Sequence, residues 1–288
     1  MKLSLECLPC LLNQAVRLAK EHLSSEQEQS ELVREILRVL ANVDNNDSAP
    51  QVTQKMQRLF KEYLQNDDPY REAKHYYNTE MLKLEQEFEE LVNRAEHKVE
   101  AAMKLAAAGN IIDFGPGHDI SRENVMAVIR QTLEHEFASH AVRTLKSQLQ
   151  ASQSMLYLGD NAGEIVFDKI FIRTIKAAYP QLEIWFAARG EAVLNDITED
   201  DAYFVGMDKI AYIINNGTDI PGTALEHCSV QFRKVFRESD VIIAKGQGNF
   251  ESLHGCGRKN LHYLFLCKCD LFTQLFGAAK NGVVLMSE

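Results

Sequence analysis

Met155-Leu156-Tyr157-Leu158-Gly159-Asp160-Asn161-Ala162-Gly163-Glu164 runs from four apolar residues straight into a polar pair between glycines, and a helical pattern follows over residues 164–178. The apolar run is too short for a helix and ends at glycine, so it reads as a buried strand. Strand, tight turn and helix in that order open a βαβ unit. The same alternation continues downstream. Residues 182–187, 210–214, 241–244 and 282–286 are further strand candidates, and a helix fits residues 223–237. The pattern predicts an α/β fold: a three-layer α/β/α, Rossmann-like core with a mainly parallel sheet.

Upstream the composition changes. Residues 1–108 contain no glycine and are rich in Glu, Lys, Gln, Leu and Ala. Leu32, Ile36, Leu37, Val39 and Leu40 fall at helical spacings, as do Leu82, Phe88, Leu91, Val92, Ala95 and Val99, with polar breaks over 44–50 and 66–69. A helical N-terminal lobe over 1–108, followed by the α/β domain over 109–288, is the expected division. No internal repeat or low-complexity tract stands out.

The 288 residues are 45% hydrophobic and carry a net charge of -10, enough for a full core. An acidic surface repels phosphate backbones, which argues against nucleic acid as a partner. No run approaches the roughly 18 apolar residues of a membrane span, and no signal-peptide core is visible, so a cytoplasmic protein is expected. The six cysteines read as reduced thiols rather than a disulfide framework.

Ligands of open α/β sheets bind beyond the carboxyl ends of the strands. Each such end here opens onto polar, glycine-containing sequence: Gly159 to Glu164, Arg189-Gly190-Glu191 with Asn195-Asp196 beyond, Asn215 to Asp219, and Lys245-Gly246-Gln247-Gly248-Asn249-Phe250-Glu251. Asp160, Asn161 and Asp196 offer three oxygen ligands without a paired His or Cys, a set suited to Mg²⁺ or Mn²⁺. Asp160 or Asn161 could instead cap the following helix. Lys245 can offer a positive charge to a phosphate while neighbouring glycines let backbone N–H groups approach, or it can be a surface lysine beside a turn. Neither a Walker A loop nor a Gly-x-Gly-x-x-Gly fingerprint is present. Asn110 and Asp113 lie at the junction of the two regimes, where they could project onto the site or serve a local turn. Cys7-x-x-Cys10 has a zinc or redox spacing, but Cys267-x-Cys269 is no matching second pair, and buried structural thiols are the favoured reading. His254 follows the Lys245 loop closely enough to test; His118, His227 and His262 show no partner spacing.

Taken together, the 158–164, 194–198 and 244–251 segments resemble the damage-control phosphatase family, catalogued also as domain of unknown function 89. Gly109 to Asp113 and Glu6-Cys7-Leu8-Pro9-Cys10 match as well, the cysteines pointing to a microbial branch. The resemblance implies hydrolysis of phosphate monoesters of small metabolites, sugar phosphates or damaged phosphometabolites, with a divalent metal (Mg²⁺ or Mn²⁺, with Co²⁺ or Ni²⁺ as options). It implies Asp160, Asn161 and Asp196 as metal ligands, with Asp160, Asp196, Lys245 and Glu164 catalytic. Lys245, Asn110, Asp113 and Asn249 would contact the substrate. Gln247 stands where some relatives carry an acid. Attack by water and attack by an aspartate that becomes phosphorylated both remain open. The competing readings are carboxyl methyl transfer, proposed for animal relatives, and a non-catalytic sensor of a phosphorylated ligand.

Overall fold

The structure, a computed structural model, describes residues 1–44, 46–111, 121–134, 137, 139–280 and 282–288. Three helices come first: α1 (Cys7–His22), α2 (Glu26–Ala41) and α3 (Ala49–Leu64). Their apolar stripes meet in a separate small core built on Leu11, Leu18, Leu32, Ile36, Met56 and Phe60. Ser48 starts α3 with a reciprocal capping box to Gln51, followed by Pro50 in the first turn.

Helices α4 (Arg71–Arg94), α5 (Lys98–Ile111), α6 (Arg122–Leu133) and α7 (Ser139–Ala151) follow. They do not join that small core. Phe88 of α4, Leu105 of α5 and Ile129 of α6 pack with the sheet and with α8 (Glu164–Ala178) in the main core. The 108/109 boundary expected from composition lies within α5. α5 is apolar all round, as its position demands: residues 101–103 and 105–108 are all buried.

The sheet holds β1 (Ser154–Leu158), β2 (Glu183–Ala188), β3 (Tyr212–Asn215), β4 (Val241–Lys245), β5 (Leu261–Leu266) and β6 (Val283–Ser287). Their spatial order is β3-β2-β1-β4-β5-β6, with β1 to β5 parallel and β6 antiparallel to β5. Alternation along each strand divides the two faces. Met155 and Tyr157 face the α4–α8 side, while Leu156 and Leu158 face a second core shared with α10 (Val230–Glu238), α11 (Gly246–Leu253) and α12 (Asp270–Phe276). A short α9 (Glu199–Phe204) follows β2. The chain reverses its direction of winding between β1 and β4, and the crevice beyond that switch point is where open α/β sheets bind ligands.

Three expectations change. The single helix over 223–237 is a 3₁₀ turn (Leu225–His227) followed by α10, because Ser229 caps the helix by accepting from the Phe232 N–H at 3.1 Å. The glycine-rich stretch after β4 is the first turn of α11, not an open loop. β5 adds a strand that was not expected. Among the described residues no helix is long and apolar enough to cross a membrane.

Candidate functional site

Asp160 and Asn161 sit beyond β1, and the backbone carries Asp196 to them. The Ile197 N–H donates to Asp160 O (3.0 Å), the Ala162 N–H donates to Asn195 O (2.9 Å), and Asn161 pairs with Asp196 across an isolated bridge. Leu194 holds φ +48° at the turn that delivers Asp196, a left-handed conformation uncommon for leucine and typical of functional turns. The three residues expected as ligands are therefore neighbours although Asn161 and Asp196 are 35 positions apart in the chain. Neither Asp160 nor Asn161 caps α8. Its N-cap is Gly163 (φ +78°), whose N–H is taken by Asn78 Oδ1 of α4 at 2.6 Å.

Two amides link the carboxylates. Asn110 Nδ2 donates to Asp160 Oδ2 (3.1 Å) and Glu164 Oε2 (2.9 Å), and Asn161 Nδ2 donates to the same two oxygens at 2.7 and 3.0 Å. Asn110 Oδ1 is buried without a partner. Asn110 thus hydrogen-bonds to both carboxylates rather than closing a local turn. Asp113 and His118 lie outside the described residues.

Lys245 departs from its expected role. It is fully buried and spends its three donors on Glu164 Oε1 (2.6 Å), Asp168 Oδ1 (2.5 Å) and Ala106 O (2.9 Å). Tyr157 OH donates to the same Asp168 oxygen at 2.7 Å, leaving Asp168 Oδ2 buried and unpartnered. Asn249 is likewise used up inside the protein. Its amide donates to Lys245 O (2.7 Å) and Gly159 O (3.2 Å) and accepts from Thr223 Oγ1 (2.7 Å) and Arg189 Nη1 (3.4 Å). It ties the ends of β1 and β4 together rather than presenting a polar edge to a ligand.

Sequence reading assigned no role to Arg189, Asp168 or Lys268. Arg189 is buried, donates through Nε to Asp196 Oδ2 (2.7 Å), and places Nη2, otherwise unpartnered, 3.7 Å from Asp160 Oδ1. Lys268, exposed just past β5, is close enough for its charge to favour the ionised form of Asp160. Reading the apolar run Leu261–Leu266 as a strand would have marked Lys268 as a strand-end residue.

The electrostatics have one sign. Burial, with the charges of Glu164 and Asp196, pushes the Asp160 carboxyl up to about 7 against the pull of Arg189 and Lys268. Burial also raises Asp196, against Arg189. It drives Asp168 up to about 6 despite Lys245. For Glu164, burial is outweighed by the Lys245 charge and by hydrogen bonds from Lys245, Asn110 and Asn161, which hold its carboxyl below the ordinary range. Four buried carboxyl groups (Asp160, Glu164, Asp168, Asp196) face two buried cations (Arg189, Lys245), a formal excess of two negative charges when all four are ionised, and burial together with that excess is what raises Asp160, Asp168 and Asp196 while no further cation is bound. Among the described residues no three His, Cys, Asp or Glu side chains converge as a metal cluster. The expected set, two Asp and one Asn, still fits a hard divalent cation: its donors are oxygens once the Asn161 amide turns over, and the charge excess matches. Gly246 (φ +76°) is part of this cradle, since a Cβ there would overlap the Asp160 carboxylate.

The remaining candidates lie apart from this network. His254 stacks on Phe250 with its Nδ1 3.6 Å from Glu288 Oε2. All six thiols are free. Cys10 and Cys269 are exposed and Cys7 is half-buried, so these do not fit the expectation of buried structural thiols; Cys267 does.

The sequence model of the damage-control phosphatase ARMT1-like domain matches residues 3–284. A protein named damage-control phosphatase from Pyrococcus horikoshii is 30% identical over 292 residues, covering 99% of this chain and 98% of the relative. Another of that name, from Archaeoglobus fulgidus, is 30% identical over 289 residues with 99% and 98% coverage. An uncharacterized protein of Methanocaldococcus jannaschii is 33% identical over 294 residues, covering 99% and 95%. The crystal structure of a DUF89 family protein from Pyrococcus horikoshii superposes with a TM-score of 0.90 at 28% identity, over 100% of this chain and 99% of that one.

Proposed function

The chain belongs to the damage-control phosphatase ARMT1-like family, and from that premise we propose that it hydrolyses phosphate monoesters of small metabolites with a divalent metal at Asp160, Asn161 and Asp196. The observation that carries this reading is the convergence of four buried carboxyl groups on two buried cations at the sheet's switch point, a formal surplus of two negative charges among oxygen donors. When bound, the metal supplies a Lewis acid that polarises a phosphoryl oxygen and neutralises charge developing on it.

The chain's own groups do the rest. Asn110 and Asn161 orient the Asp160 and Glu164 carboxylates through paired donors. Lys245 keeps Glu164 ionised in the interior, so its contribution to the reaction is made through Glu164. Lys268, with a free side chain on the strand-end side, takes the phosphate-binding role expected of Lys245, as a point charge for a phosphoryl oxygen. Arg189 fixes Asp196 and offers its spare Nη2 beside Asp160. Two relatives that span nearly the whole chain are named damage-control phosphatases, and carboxyl methyl transfer is not favoured.

Phosphate release from an aryl phosphate by metal-stripped protein, before and after adding Mg²⁺, Mn²⁺, Co²⁺ or Ni²⁺, tests the proposal. Turnover should appear with metal and vanish in Asp160→Ala, while the variant keeps its far-UV circular dichroism. Turnover that persists in Asp160→Ala would sink the ligand assignment. No turnover with any metal, together with tight binding of a phosphorylated ligand, would turn the reading to a sensor.

A further inference from the structure

The cysteines divide by what the fold asks of them. Cys228 and Cys267 are buried and donate to Ala224 O (3.3 Å) and Phe272 O (3.7 Å), so their thiols serve packing. Cys7 and Cys10 stand in the first turn of α1, Cys7 half-buried and Cys10 exposed. The Cys7 N–H donates to Ser4 O (3.0 Å) and the Leu8 N–H to Leu5 O (3.2 Å), so the chain is already turning when it reaches the first cysteine. The buried stripe of α1 (Leu11, Ala15, Leu18 and Ala19) begins after both thiols. Packing therefore gives no reason for this pair.

Their spacing on the helix decides what they can do together. Residues three apart in an α-helix have Cα atoms about 5 Å apart, inside the roughly 4.4–6.8 Å that a disulfide spans. Their Cβ atoms, about 5–6 Å apart, must draw in to about 3.8 Å. That movement falls on the first turn, where backbone N–H groups lack intrahelical partners, and Pro9 between the thiols has no N–H to lose. The same spacing serves zinc, but among the described residues no third ligand converges on the pair. Burial raises the Cys7 thiol against a backbone hydrogen bond from Ser4, and Cys269 lies within reach of its charge. Cys269 follows Lys268, whose backbone N–H donates to Gln247 Oε1 at 3.3 Å, so the dithiol lies on the side of the molecule that carries Lys268.

We propose that Cys7 and Cys10 form a reversible dithiol–disulfide couple, closed by exchange with a small disulfide such as oxidised glutathione and reopened by a small thiol. Exposed Cys10 meets the small disulfide first. Its thiolate attacks one sulfur, forming a mixed disulfide and expelling one thiolate. Cys7 gives its proton to solvent, attacks the Cys10 sulfur and expels the second. Two cysteine thiols are oxidised by two electrons, the small disulfide is reduced to two thiols, and the two protons released by the cysteines end on them. A disulfide at an exposed helix terminus is of the labile kind that a small thiol reopens.

The test incubates the reduced full-length protein with oxidised glutathione at mildly alkaline pH, with a chelator present, and follows the tryptic peptide 3–17 by mass spectrometry. That peptide holds both thiols and no other cysteine. It should emerge lighter by a pair of hydrogens, the closed form exceeding the glutathione adduct by about tenfold or more, because a resolving thiol held in place outcompetes a dissolved one. Dithiothreitol should return it to the dithiol. Cys7→Ser should stop at the glutathione adduct on Cys10, and Cys269→Ser should close as the parent does. Far-UV circular dichroism matching the parent's shows that Cys7→Ser has lost closure and not the fold. A parent peptide that stays a dithiol, accumulates the adduct, or is joined through Cys7 to the peptide of Cys269 overturns the proposal.

Discussion

Replacing Lys245 with methionine would remove the ammonium from a site where the Lys245, Glu164 and Asp168 side chains are all fully buried. Breaking a buried ion pair by deleting one partner costs about 3–5 kcal/mol, because the other charge is left uncompensated. Two carboxylates lose their counterion here, yet both keep some support. Asp168, already raised to about 6, can take up a proton and retains the Tyr157 hydroxyl, and Glu164 retains two amide donors. The loss should therefore stay near that range instead of doubling. For a chain of this size it corresponds to a fall in Tm of roughly 6–20 °C. Differential scanning calorimetry of the metal-free protein at neutral pH measures it. Adding Glu164→Gln and Asp168→Asn to Lys245→Met should restore most of the lost Tm, since no lone charge then remains. A Lys245→Met protein that melts with its parent but has lost turnover would refute the buried-counterion argument and return the lysine to direct phosphate contact.

His262 on β5 lies with its ring nitrogens 2.7 Å from Gln148 Oε1 and 2.9 Å from Ser287 Oγ, and burial pulls its pKa down to about 4 from 6.5. On acidification the unfolded chain takes up this proton first, so the stability is fully present above pH 6.5 and is lost as the pH falls toward 4. The loss is on the order of 3 kcal/mol. Urea midpoints at pH 7, 5.5 and 4.5 should show this slope in the parent and a flatter one in His262→Gln; equal slopes would count against it. Gly246→Ala drives a methyl group into the Asp160 carboxylate at φ +76°, and a displacement of that size should cut metal-stimulated phosphate release by about 100-fold. Unchanged kinetics and metal affinity would show that the position of this carboxylate is not decisive. Asn249→Ala strands the Arg189, Thr223 and Lys245 groups that the amide satisfies, so it should cost roughly 1–3 kcal/mol in stability while leaving KM near the parent value. A raised KM with unchanged melting would restore its expected role in substrate binding.

Local pattern was enough for β1 and α8, where an apolar run ends at Gly159 and a helical period starts at Glu164. It also brought out Asp160, Asn161 and Asp196, because oxygen-rich residues after strands are visible one strand at a time. It failed where partners come from far along the chain. Nothing near Lys245 reveals that Glu164 and Asp168 lie beside it. That proximity exists because β4 pairs with β1 in register, Leu158 opposite Ala244, and α8 crosses the end of both. The same strand order inserts β4 beside β1 and β2 on its other side, so Arg189 from the end of β2 meets Asn249 from α11. Strand order is a global property, and the composition of individual segments does not encode it.

The missed strand shows how one local error spreads to the site. Leu261–Leu266 is buried on both faces, so it lacks the alternation that marks a half-exposed strand, and His262 interrupts the apolar run. Without β5 the cysteines at 267 and 269 read as an incomplete metal pair, and Lys268 between them has no place in the fold. With β5 beside β4, Lys268 stands at a strand end and its charge acts on Asp160. The division of labour between the two lysines follows from their strands. β4 is central and its end is roofed by α5, where Ala106 O accepts from Lys245, so a lysine there becomes an internal counterion. Lys268 leaves the sheet one strand farther out and stays exposed, so of the two it is the one whose side chain can meet a substrate phosphate.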